Sequence, residues 1–123
     1  MTKKEFERKM GLTIIKSDNE GVTQKSLTSA RRWLTMPVRM YTCSVYLFYQ
    51  GDPWEFLTYV VDGAGIGYRF SGFGWGYLGE GSHGLETLIN DILHWRMPLT
   101  KDIPEAHTTG AWRITPDGGC HVV

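Results

Sequence analysis

The sequence predicts a small α+β domain: an antiparallel sheet, a helix after a glycine- and aromatic-rich segment, and short helical pieces at the N-terminus. Three observations carry that expectation. Residues 38–49 and 54–62 are β-branched and aromatic runs separated by a four-residue turn, which reads as an antiparallel hairpin. Leu85, Leu88, Ile89, Ile92 and Leu93 recur at helical spacing. Length and composition fit one domain: 123 residues, 41% hydrophobic, with 13 basic and 13 acidic side chains. We read no internal repeat and no domain boundary, with 1–36 as an N-terminal helical segment and 37–123 as a sheet–helix core.

Along the chain, TKKEFERKM (2–10) is charged and helix-permissive, and Gly11 ends it. Leu12, Ile14 and Ile15 predict a short strand, and SDNEG (17–21) a turn. Residues 23–34 predict a helix with Leu27, Ala30, Trp33 and Leu34 on one face, closed by Pro37. In VRMYTCSVYLFY (38–49) neither alternate set of side chains is purely polar, so both sheet faces should be covered, by this chain or by a partner. Residues 63–84 hold nine of the fifteen glycines; within them RFSGFGWGYL reads as partly extended. Ser82 is the expected N-cap of the following helix. After Pro98 come a loop (98–110), a short strand AWRIT (111–115) and a tail beginning PDGG.

Composition narrows the function classes. A balanced chain has no general attraction for duplex nucleic acid, so any anion site must be local. Cys43 and Cys120 are far apart, and neither they nor His94, His107 and His121 have metal-ligand spacing. The N-terminus lacks a signal peptide's apolar stretch, and no run reaches the roughly 18 apolar residues of a membrane span. The expectation is a soluble intracellular protein without a cofactor.

The informative stretch is GFGWGYLGEGSHGLETLINDIL (72–93). Gly79 to Gly84 spell G-x-G-x-x-G, but no apolar parallel strand precedes them and no second βαβ unit follows, so a dinucleotide fold is disfavoured. Two readings remain. In one, Gly79, Gly81, Ser82, His83 and Gly84 form an anion nest at a helix N-terminus, with Arg69 nearby, while Phe73, Trp75 and Tyr77 share one face and stack a purine. In the other, the alternating aromatics are core and the glycines allow tight sheet–helix contact. Arg96 and Arg113 are further anion candidates; Arg31 and Arg32 read as a solvated helix face. Glu80 and Glu86 could act as an acid–base pair, but the helix dipole explains acidic residues there equally well. Ser82 and His83 are adjacent, which does not create a nucleophile–base geometry.

The same stretch, with the late "WRI", resembles the G-F-x-W-G-Y-x-G-x-G-P motif and following helix of the first type of Thoeris anti-defence protein, within a wider group of small phage and plasmid proteins. Gly72, Phe73, Trp75, Gly76, Tyr77, Gly79, Gly81, Leu85 and Asp91 match. Ser82 replaces the usual proline, and His83 stands where asparagine is expected. The resemblance implies a non-enzymatic sponge that sequesters cyclic ADP-ribose signals, and in some members CBASS cyclic oligonucleotides, in the cytoplasm of an infected bacterium. It further implies a dimer to hexamer with ligand pockets between subunits, with Phe73 and His83 in the pocket and Arg96 and Arg113 as its arginines. A protein-interaction inhibitor of a host defence protein and a small nucleotide hydrolase using Glu80 or His83 are the rival readings.

Overall fold

A computed structural model describes residues 1–123. Its elements are α1 (Lys3–Lys9), β1 (Thr13–Asp18), α2 (Thr23–Trp33), α3 (Met36–Tyr41), β2 (Thr42–Gly51), β3 (Trp54–Asp62), β4 (Ile66–Phe70), α4 (Glu80–Glu86, running on as a π-helix over Thr87–Ile92), a 3₁₀ turn (Thr100–Asp102), β5 (Gly110–Ile114) and β6 (Cys120–Val122). The fold is α+β. The six strands form one sheet in the order β1-β4-β3-β2-β5-β6. Its pairings are antiparallel except β1 with β4, a parallel pair at one edge.

Side-chain alternation divides the sheet into two faces. Val45, Leu47, Tyr49, Phe56, Val60, Phe70, Trp112 and Ile114 point one way, onto Leu27, Ala30 and Leu34 of α2 and onto Leu85, Leu88, Ile89, Ile92 and Leu93. The predicted apolar stripes of both helices are therefore the core contacts. Phe48, Leu57, Tyr59, Val61 and Ala111 point the other way, onto Phe6 of α1. Each face thus carries a helix of the same chain. α1 begins with a capping box in which Thr2 and Glu5 bond each other's backbone N–H groups. It is tied down by Glu7, which takes hydrogen bonds from Tyr59 (2.7 Å) and Arg69 (2.6 Å).

Three local expectations need correction. Residues 38–41 are helical rather than extended, and β2 begins only at Thr42. Pro37 lies in the first turn of α3, where its fixed φ suits a helix start and its missing N–H costs nothing, so the proline that follows one helix also opens the next. Ser82 is not the N-cap. α4 starts at Glu80 with Gly79 as cap, and no side chain bonds the cap. Part of the glycine-rich segment is a regular strand, β4, and the tail returns as β6; neither was expected. β4 packs so closely on β3 that a Cβ at Gly67 would collide with the backbone of Val60.

Candidate functional site

Residues 71–79 leave β4 as an irregular turn that crosses the end of the sheet and enters α4. The glycines here are spaced for the chain's own packing. A Cβ at Gly74 would collide with the Tyr77 side chain, and one at Gly81 would lie 2.5 Å from the Tyr77 hydroxyl. Gly74 and Gly81 thus form a slot that holds the Tyr77 ring, which also packs at 5.8 Å on Phe56. Gly84 lets α4 sit against Thr23 of α2 and the Phe73 ring. Gly76 has φ +79° and abuts the backbone of residues 104–106. The segment is held to α2 by the Thr23 hydroxyl donating to the Gly72 carbonyl at 2.6 Å and the Gly72 N–H donating to Ser26 Oγ at 2.9 Å. Ser26 in turn donates to the buried Asp18.

The aromatic platform is corrected accordingly. Phe73 and Trp75 are 2% and 1% exposed and belong to the core, Trp75 edge-on to Phe56 and Phe73 beside Phe70. Only Tyr77, 42% exposed, offers its ring to solvent. The backbone turns at Gly76, in a left-handed conformation, between the buried Trp75 and the exposed Tyr77.

Beside this turn lies a cleft of about 330 Å³, one of two concavities of similar size that flank Tyr77. Its walls are Gly74–Gly79, α4 with Ser82 and His83 in its first turn and Glu86 at its end, and the segment from Met97 to Ile103. The N–H groups of Glu80, Gly81 and Ser82 start a helix and make no hydrogen bond within the chain. Ser82 Oγ and Trp75 Nε1 are both buried without a partner. His83 is exposed and is the one basic side chain in the lining. The structure thus brings Trp75, Tyr77, Gly79, Ser82 and His83 together along one wall. Gly81 faces a second, more polar groove on the far side of Tyr77, which it shares with Trp54, Glu20 and Phe73.

None of the expected arginines lines the cleft, and each departs for a physical reason. Arg69 alternates with the core residue Phe70, so it points to the α1 face, where it is mostly buried and ion-paired with Glu7. Arg113 alternates with Trp112 and Ile114, emerges on that same opposite face and donates from Nε to Ser44 Oγ at 2.8 Å. Arg96 is exposed beyond the helix end, its stem packed over Gly118. The β-strand period makes Arg69 and Arg113 predictable as opposite to their apolar neighbours. For Arg69 the glycines in and beside β4 hide that period. Sequence reasoning also missed the third wall of the cleft, Met97–Ile103, whose residues carry no pattern that marks a site.

Among the remaining candidates, Glu80 and Glu86 are both exposed and only Glu86 borders the cleft. Arg31 and Arg32 are exposed on α2. His107 bonds the Tyr49 hydroxyl through Nδ1 at 2.8 Å and packs among Tyr49, Trp54 and Phe56. No helix is long and apolar enough to cross a membrane. In comparison with known proteins, no family model, curated protein or solved structure matches this chain.

Proposed function

We propose that this protein is a non-enzymatic sponge that binds and sequesters a cyclic nucleotide signal of the glycocyclic ADP-ribose class, so silencing a bacterial antiphage defence from the cytoplasm of the infected cell. The observation that carries the reading is the cleft itself: about 330 Å³, bounded by the glycine–aromatic turn and the start of α4, where the Ser82 N–H is unbonded and Ser82 Oγ and Trp75 Nε1 are buried without a partner. A volume of this size accommodates a nucleotide-sized group. Unbonded N–H groups at a helix start favour anions. Tyr77 supplies the exposed ring for base stacking, and His83 a donor beside the phosphate.

The cleft of one chain holds no arginine, while a pyrophosphate is doubly charged. In this account the missing cations come from a second subunit. Leu78 at 97% exposure and Leu99 at 59% lie at or near the mouth of the cleft and supply apolar surface for that contact. Homo-oligomerisation with a shared pocket is therefore part of the proposal. Cyclic oligonucleotides of CBASS systems are the second ligand class to test.

Thermal-shift screening against cyclic ADP-ribose isomers and cyclic di- and trinucleotides tests the reading. A ligand at one hundred times its Kd stabilises the folded state by about 2.7 kcal/mol, a rise of about 10 °C for a domain of this size. Tyr77→Ala and His83→Ala should lose that rise. No shift with any member of the panel would remove the proposal. The same exposed apolar residues also favour a second reading, an inhibitor that docks on a host defence protein. It predicts no ligand shift and loss of defence inhibition in Leu78→Asp.

A further inference from the structure

The sheet face that carries α1 is only partly covered, because α1 is seven residues long. Where α1 ends, the face opens into a groove of about 290 Å³ between Met10–Leu12, the start of β2, the 62–65 turn and β5. We propose that this groove is an anion site for a phosphate monoester group, held by Arg113 with Tyr46 and Ser44.

The polar side chains in the groove are those of Arg113, Tyr46, Ser44, Cys43 and Asp62. Arg113 and Tyr46 are directly opposite in the β2–β5 register, so their side chains emerge side by side on this face. The Arg113 Nε–H is spent on Ser44 Oγ at 2.8 Å, and Ser44 is buried at 5% exposure. That bond orients the guanidinium of Arg113, an exposed side chain, and leaves both terminal nitrogens without a partner in the chain. The Tyr46 hydroxyl is likewise unbonded, its ring held edge-on against Phe6 at 5.9 Å. The one acidic residue in the lining, Asp62, turns its Oδ1 to the N–H groups of Ala64 and Ile66 and forms no ion pair with Arg113. A planar fork with two free N–H pairs, oriented by a buried hydroxyl, is the arrangement that receives two oxygens of a phosphate. Arg69, on the same face, cannot do this because Glu7 already occupies it. The groove lies on the opposite sheet face from the 74–103 cleft and does not depend on the function proposed for it.

The test follows the Arg113 Nε–H resonance while inorganic phosphate, and separately glycerol 3-phosphate, is titrated at constant ionic strength set with sodium chloride. The expected result is a saturable shift of that resonance and of the neighbouring Tyr46 and Ser44 amide resonances; the amide shifts are abolished in Arg113→Gln, and affinity is weakened about tenfold in Ser44→Ala, where the fork loses its orienting bond. Tighter binding of glycerol 3-phosphate identifies an esterified ligand; equal binding identifies phosphate itself. A shift that rises without saturation, or that persists elsewhere in the spectrum of Arg113→Gln, overturns the site. Tyr77→Ala must leave the titration unchanged; an altered curve would mean that the signal comes from the other cleft.

Discussion

Tyr77 explains the glycines around it better than a phosphate does. Its hydroxyl and ring edge occupy the space that side chains at residues 74 and 81 would need. Gly81→Ala must therefore push the ring out or shift α4. Overpacking of this kind costs about 1–3 kcal/mol, and urea denaturation should show it. In the background of Tyr77→Ala the same substitution should cost far less, since the slot is then empty. A second residue-level consequence concerns Tyr59. Burial first, and the carboxylate of Glu7 second, push its hydroxyl well above the usual tyrosine range. A group whose pKa is raised on folding stabilises the fold fully below its unfolded value, about 10 for tyrosine, and loses that contribution as pH rises beyond it. Tyr59→Phe, lacking the bond to Glu7, should be less stable by about 1 kcal/mol at pH 7. The gap should narrow above about pH 10. Denaturation midpoints across the alkaline range check this, and parallel curves would contradict it.

Among the elements, those with a clean period were legible. The predicted helix at 23–34 is α2, and residues 54–62 coincide with β3. The stripe from Leu85 to Leu93 is buried as predicted. What escaped had a physical cause in each case. β4 carries Gly67 and Arg69 on the face opposite Ile66, Tyr68 and Phe70, and its neighbouring glycines masked the alternation. α3 carries Pro37 in its first turn, and that proline reads more readily as a stop. The π-helix at Thr87–Ile92 changes no residue's polarity and leaves no trace in the spacing. The cleft was half legible: the glycine–aromatic turn and Ser82–His83 marked one wall, while the arginines were misassigned because strand parity, not sequence distance, decides their face. The helix end offers its own test. His94 takes φ +59°, and the Trp95 N–H returns to the Ile89 carbonyl at 2.8 Å, a left-handed closure that favours glycine. His94→Gly should stabilise the protein by about 0.5–1 kcal/mol, provided the side chain has no second role; a loss of stability in the same urea assay would show that it has one.

For the molecule as a whole, the sheet is a partition. One face, under α2 and α4, carries the main core and at its end the cleft between Tyr77 and Met97–Ile103. The other carries α1 and the Arg113 groove. If sequestration is the function, the cleft must hold its ligand without altering it, and Leu78 and Leu99 must be covered in the assembly that does so. Sedimentation should then report a species larger than 14.0 kDa, and Leu78→Asp should shift it toward the monomer. The most direct measurement is recovery of the ligand. The protein is incubated with a cyclic ADP-ribose isomer, unbound ligand is removed, and the complex is denatured by heat. A sponge depletes free ligand while folded and releases the intact cyclic molecule on heating. No depletion, or release of a cleaved product, would contradict it.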